Sequence, residues 1–193
     1  PPAPAPATAT TTADDPVSKA IETYRAGERE AIASKTGQER FDAMSKAAAE
    51  ALASLPVSEL SVEGFEKLAD ARLLGRATPD TMKQIDERLA TLAKDDGETG
   101  ARAAMVRATF NPTPITDEDS RKLYRAEGKI RTMAALTHPG VPKAVEAGKA
   151  QWLLAGSVRG EQADAAYADA LTKIVALPLA PETVGRLWGA YMP

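Results

Sequence analysis

The chain has 193 residues, of which 44% are hydrophobic and 26% charged, as in ordinary globular proteins and unlike disordered chains. Its 24 basic and 27 acidic side chains give a net charge of −3, so no global positive field would draw it onto nucleic acid. The absence of cysteine excludes disulfides, thiolate catalysis and cysteine-ligated metals. Scarce aromatic residues and frequent alanine favour closely packed helices over sheets.

Residues 1–13 differ in composition from the rest of the chain, because proline alternates there with small uncharged residues. This pattern predicts a disordered, extended tether. Tethers of this kind often follow an export signal or a membrane anchor, so we expect an extracytoplasmic location, periplasmic or secreted. The alternative is the frayed N terminus of a cytoplasmic protein. The longest apolar stretch, residues 174–180, is far shorter than the ~20 residues of a membrane-crossing helix, so no membrane span is predicted.

Beyond the tether, apolar side chains recur at one-turn spacing between successive helix start and stop signals. The predicted helices cover approximately residues 16–34, 38–55, 61–74, 79–96, 100–110, 116–137, 142–155, 160–177 and 181–191. Their apolar stripes include Ile32, Phe41, Leu123 and Ile130, which are therefore expected on packed faces.

Individual residues explain most of the predicted helix boundaries. Asp15 caps the first helix with Pro16 at its first position, and Ser61 starts the third helix. Gly75 is expected to end the third helix, and Thr116 with Asp119 forms a predicted capping box.

The pattern predicts an all-α fold of eight or nine helices arranged as successive antiparallel hairpins. Either an irregular bundle or a short stack resembling helical repeats would satisfy it, because the helix starts have no fixed period. We expect one domain over residues 14–193, with a candidate subdomain break near 111–115, where two prolines follow an asparagine.

His138 is the only histidine, so any histidine-based catalysis would require it. It stands between the end of a predicted helix and Pro139-Gly140, where a histidine favourably meets the negative end of a helix dipole. We therefore predict a capping role. A single histidine without cysteines also argues against a structural zinc site.

Three acidic clusters are candidates for a hard cation: Asp14-Asp15, Asp95-Asp96 with Glu98, and Asp117 to Asp119. None has EF-hand spacing, and two of them precede helices, where carboxylates complement the helix dipole. Capping and solvation are therefore the favoured interpretation. Phosphate-binding glycine loops and nucleophile elbows are also absent, so no metal, cofactor or catalytic residue is assigned.

Two residue groups are candidate binding surfaces. The four basic residues Arg121, Lys122, Arg125 and Lys129 recur at helical spacing and form a candidate anion patch. The alternative is a solvated face with nearby glutamates as counter-charges.

The second group contains Trp152, Trp188 and Tyr191, which are candidate partner-binding residues in a chain poor in aromatics. Core filling is the alternative, because an alanine-rich bundle needs large side chains to fill its gaps.

These observations predict a non-catalytic interaction or scaffold module of the cell envelope, whose partner is another protein. One alternative is an accessory domain of a larger exported protein with a redox or hydrolytic domain. A third hypothesis is an enzyme that uses Asp or Glu as general acid and base. The sequence indicates no oligomeric state.

Overall fold

The computed structural model describes residues 15–149, 169–170, 172–174 and 176–178. All regular elements within these residues are helical and none is a strand, so the all-α prediction is confirmed. In the part of the chain that is described, no helix combines the length and apolarity that a membrane span requires. The chain forms two compact units, one ending at Leu55 and the other beginning at Pro56.

The first unit contains a helical hairpin of α1 (Pro16–Ser34) and α2 (Gly37–Ala53), which pack against each other. The Asp15 carboxylate accepts a hydrogen bond from the Val17 amide at 3.2 Å, as expected of the predicted cap. A Cβ atom on Gly27 would lie 2.6 Å from Ala47 Cβ, so the two helices approach closely at this point.

The second unit is built around a central helix, α5. Its helices are α3 (Val62–Asp70), α4 (Pro79–Leu92), α5 (Glu98–Ala108), α6 (Glu118–Leu136) and α7 (Val141–Glu146), with 3-10 turns at Val57–Glu59 and Leu74–Arg76. Residues 169–170 and 172–174 are also helical. Helix α5 contacts α3, α4, α6 and α7, and its residues Ala101, Ala103, Met105 and Val106 are fully buried. Small side chains allow this central helix to be surrounded by its neighbours.

Helix α3 ends at Asp70, so the prediction that Gly75 ends it was wrong. Arg72 adopts a left-handed conformation with φ 59°, and the Leu73 amide donates to the Leu68 carbonyl at 3.0 Å. This is a Schellman motif with arginine in the position that usually holds glycine. Leu68 and Leu73 are both buried, which explains why the chain turns there.

Other predicted boundaries also differ from the structure; α4, for example, ends at Leu92 and not near residue 96. Helix α7 ends at Glu146, well before residue 155, because Gly148 (φ 72°) forms a second Schellman motif. The capping box of α6 lies one position later than predicted. It joins Asp117, which accepts from the Ser120 amide at 2.7 Å, to Ser120, whose hydroxyl accepts from the Asp117 amide at 2.9 Å.

The loop over residues 111–115, the candidate subdomain break, lies within the second unit and connects α5 and α6, which pack against each other. The tether over residues 1–13 and the helix predicted over 181–191 lie outside the described residues and stay predictions.

Candidate functional site

Two arginine networks connect the helices of the second unit. In the first, Arg102 on α5 donates from Nε and Nη2 to the two carboxylate oxygens of Glu66 on α3, at 2.8 and 2.7 Å. Arg102 Nη1 also contacts Glu98 at 3.0 Å and Glu63 at 2.9 Å. Hydrogen bonding to Glu66, opposed by burial, raises the pKa of Arg102 above its usual range. The arginine therefore stays charged and ties α3 to α5.

The second network centres on Asp86 of α4. Arg107 on α5 donates to the two carboxylate oxygens of Asp86 at 2.7 and 3.1 Å. Arg131 on α6 donates to the same two oxygens, from Nη1 to Oδ1 and from Nη2 to Oδ2, the latter at 3.0 Å. Arg131 also donates from Nε to Glu127 at 2.9 Å. Burial would raise the pKa of Asp86, but hydrogen bonds from both arginines outweigh it and lower that pKa. One carboxylate thus connects three helices.

Only the C-terminal end of the predicted apolar stripe of α6 is buried. Arg131, Ala135 and Leu136 are buried, while Leu123 is 64% and Ile130 61% exposed. The face of α6 that carries Arg131 packs toward α5, and the Arg131 guanidinium contacts the Asp86 carboxylate. The expectation that Leu123 and Ile130 pack in the core was therefore wrong.

The four basic residues of the candidate anion patch lie on the same helix, and all are exposed. Arg121 pairs with Glu118 at 3.5 Å, and Lys122 pairs with Asp119 at 3.0 Å. Both pairs are between exposed side chains and contribute little stability. Lys122 and Lys129 each precede an exposed apolar residue, Leu123 or Ile130, by one position, whereas Arg121 and Arg125 lie around the helix from these apolar residues. We call the exposed residues Lys122, Leu123, Lys129 and Ile130 the outer face of α6.

The hairpin of the first unit also departs from the predicted apolar stripes. Ile32 is 52% and Phe41 59% exposed, so the prediction that they pack in the core was wrong. Most of the other residues of the two predicted stripes are buried, including Tyr24, Ala31, Met44, Ala48 and Leu52. At Gly27 the two helices approach too closely for a larger side chain at that position.

His138 contacts the end of a helix, as the sequence predicted, although the helix is α4 and not the one that precedes the histidine. Its Nε2 lies 3.1 Å from the carbonyl of Ala93, the C-cap of α4, and its Nδ1 accepts from the Gly140 amide at 3.0 Å. Both ring nitrogens are thus used by the backbone. The junction is tightly packed, because a Cβ atom on Gly140 would lie 1.8 Å from the Gly97 carbonyl oxygen.

Most of the described carboxylates of the acidic clusters have local structural partners. Asp15 and Asp117 cap helices, Asp95 accepts from the Gly97 amide at 2.9 Å, and Glu98 pairs with Arg102. Hydrogen bonds from Ser120 lower the pKa of Asp117. Among the described residues, no group of carboxylates or histidine has the arrangement of a metal site.

Sequence reasoning missed the two arginine networks, although a signal for each was present. Glu98 precedes Arg102, and Glu127 precedes Arg131, at the four-residue spacing that places both side chains on one helix flank. The partners on other helices, Glu66 and Asp86, carry no such signal. The candidate partner-binding residues Trp152, Trp188 and Tyr191 lie outside the described residues.

Comparison with known proteins gives no match: no family model, no curated protein and no solved structure is significantly similar to this chain.

Proposed function

We propose that this chain is a non-catalytic helical interaction module whose outer face of α6 binds an acidic helical segment of a partner protein. The single observation that carries the proposal is the exposure of Leu123 and Ile130, at 64% and 61%. They lie about two helical turns apart and therefore on the same face of α6. Large apolar side chains in such a row are typical anchors for a partner helix.

The charge around these two residues selects the chemistry of the partner. Lys122 and Lys129 lie beside them on α6 and are exposed. An amphipathic partner helix with acidic residues beside its apolar stripe would place opposite charges in register. Such pairing guides encounter and specificity, while burial of Leu123 and Ile130 supplies affinity.

The buried ion pairs support a structural role for the charged groups beneath this surface. Glu66 is held by two hydrogen bonds from Arg102, and Asp86 is held by both Arg107 and Arg131. Hydrogen bonds from Arg107 and Arg131 lower the pKa of Asp86, so this carboxylate is ionised and has no proton to donate as a general acid. Arg131 of α6 is buried and pairs with Asp86, whereas Leu123 and Ile130 on the same helix are exposed.

The proposal is tested with a synthetic amphipathic helical peptide of about 18 residues, with leucines at one-turn spacing and flanking glutamates. Fluorescence anisotropy measures its binding at low and high salt, against a peptide of the same composition in scrambled order. We expect binding of the first peptide alone, weakened by salt. Leu123→Ser combined with Ile130→Ser should weaken it by about tenfold or more.

The matched control is Phe41→Ser, which removes an equally exposed apolar side chain from the first unit. It should leave peptide binding unchanged. Equal binding of both peptides, or undiminished binding by the α6 variant, would contradict the proposal. Binding of the outer face of α6 to anionic phospholipid vesicles but not to the peptide would instead identify a membrane surface as its target.

The cell envelope is the second part of the proposal. It is supported by the composition of residues 1–13, which is typical of tethers beside export signals or anchors. Fractionation of cells that express the full gene product with a C-terminal tag tests it. Recovery of the tagged protein from the cytoplasmic fraction alone would refute this location.

A further inference from the structure

The α1–α2 hairpin carries a groove of about 570 Å³ on its surface, which we call the hairpin groove. Gly27, Ala31, Ala43 and Ala47 line it, and these residues have no side chain larger than a methyl group. Small residues along two packed helices leave a furrow between them, into which large side chains of a third helix can fit. The groove thus has a floor of small residues, and charged side chains make up the rest of its lining.

The charged side chains along the groove are mostly acidic. Glu30, Glu39, Asp42 and Glu50 line it, against the two lysines Lys35 and Lys46. Lys46 pairs with Glu50 at 3.9 Å, and Asp42 accepts from Gln38 at 2.8 Å. The lining therefore carries more negative than positive charge, opposite in sign to the basic outer face of α6.

We propose that the outer face of α6 from one copy of this chain docks in the hairpin groove of a second copy. The inference rests on the proposed function and names its partner. Leu123 and Ile130 would contact Gly27 and Ala43 on the floor of the groove, between the charged side chains that also line it. Lys122 and Lys129 would face the carboxylates at the edge of the groove, which supply the complementary charge.

Two different surfaces form this contact, so it is heterologous. Each copy that donates its α6 still has its own groove to offer to another copy. A heterologous contact that does not close into a ring produces an open chain of subunits, which grows with concentration. Self-association is therefore expected to be stepwise and not limited to a dimer.

The experiment is sedimentation velocity of the full chain over a range of concentrations, at low and high salt. The wild-type protein should form species larger than dimers, and salt should reduce them. One variant disables α6 with Leu123→Ser and Ile130→Ser, and another disables the groove with Glu30→Lys and Asp42→Lys. All four positions are exposed, so both variants should fold, which circular dichroism checks.

Each variant alone should associate at least about tenfold more weakly than the wild type. An equimolar mixture of the two variants should form 1:1 dimers that do not grow. The groove variant supplies the intact α6 and the α6 variant supplies the intact groove, so each dimer uses up the only intact pair of surfaces. A monomeric wild type that still binds the acidic peptide would overturn this inference and leave the proposed function intact. Oligomers that both variants form as readily as the wild type would also overturn it.

Discussion

Arg102 and Glu66 face each other through two parallel hydrogen bonds of 2.8 and 2.7 Å, with both side chains almost fully buried. The pair joins α5, the central helix of the second unit, to α3. Two further carboxylates, Glu63 and Glu98, also contact the arginine. Burial alone would raise the pKa of Glu63. Hydrogen bonds from the Glu63 backbone, Ser61 and Arg102 outweigh this effect, so the pKa of Glu63 is lowered. The buried charge of Arg102 thus depends on carboxylates from its surroundings.

Removing one partner of this pair should be costly. Glu66→Gln keeps the shape of the side chain but removes the carboxylate that accepts both buried hydrogen bonds of Arg102. The more exposed Glu63 and Glu98 still contact the arginine, so the free energy of unfolding should fall by about 3 kcal/mol, the lower end of the cost of breaking a buried ion pair. Urea denaturation followed by circular dichroism measures the change. Glu50→Gln is the matched control, because it breaks the exposed pair with Lys46 and should cost less than about 0.5 kcal/mol. Similar values for the two variants would show that burial adds nothing to the Arg102 pair.

The lowered pKa of Asp86 predicts a loss of stability in acid. A carboxyl group with a lower pKa in the folded than in the unfolded state stabilises the fold fully above its unfolded pKa of about 3.9. This contribution disappears as the pH falls from there through the lower pKa of the folded state. The free energy of unfolding, measured by urea denaturation from pH 7 to pH 2, should therefore decrease over the acidic part of the range.

The variant Asp86→Asn tests this assignment. It should be less stable than the wild type at neutral pH, because Arg107 and Arg131 lose their shared partner, and its stability should depend less on pH below about 4. The same substitution at exposed Asp96 should change stability at neutral pH by less than about 0.5 kcal/mol. If the free energy of unfolding of Asp86→Asn fell in acid as steeply as that of the wild type, other carboxylates would be responsible for the loss of stability.

Gly140 should not tolerate a side chain. A Cβ atom there would lie 1.8 Å from the Gly97 carbonyl oxygen, and a backbone atom cannot move aside easily. We expect Gly140→Ala to reduce the free energy of unfolding by about 2 kcal/mol or more. Gly128 of α6 is the control, since a Cβ atom added there would have no neighbouring atom within 4 Å. Gly128→Ala should stabilise the protein by about 0.5 to 1 kcal/mol. In thermal denaturation, Gly140→Ala should therefore lower the melting temperature and Gly128→Ala should raise it.

Arg72 holds a left-handed conformation that glycine adopts without strain. Arg72→Gly should therefore stabilise the protein by about 0.5 to 1 kcal/mol. This net gain is the relief of backbone strain minus the cost of the larger conformational entropy of glycine in the unfolded chain. Arg72→Ala loses the same exposed side chain but keeps the strained backbone, so it should give no gain. Chemical denaturation of both variants separates the two effects. A gain in Arg72→Ala would attribute the stabilisation to the side chain.

The orientation of α6 can be tested by stability as well as by binding. Leu123→Ala removes an exposed side chain without loss of helix propensity, so the free energy of unfolding should change by less than about 0.5 kcal/mol. Leu89→Ala on α4 removes a fully buried side chain and should cost about 2 to 5 kcal/mol. Comparable losses in urea denaturation would mean that Leu123 is packed, contrary to the structure.

Local chemistry made the helices and many of their starts readable from the sequence. Asp15 with Pro16, Ser61, and Thr78 with Pro79 are signals within a single turn, and the structure begins helices at each of them. The end of α3 at Arg72 was hidden, because a Schellman motif with arginine leaves no glycine to mark it. Its buried leucines Leu68 and Leu73 determine the turn through packing.

The amino-acid sequence was sufficient for the fold class, since apolar spacing and capping depend only on neighbours along the chain. It was not sufficient to identify which face of α6 is buried. That face carries Arg131, whose partner Asp86 is far away in sequence, and Ala135 and Leu136, which pack in the core of the second unit. These groups meet only once the helices have packed against one another, and that packing leaves Leu123 and Ile130 at the surface.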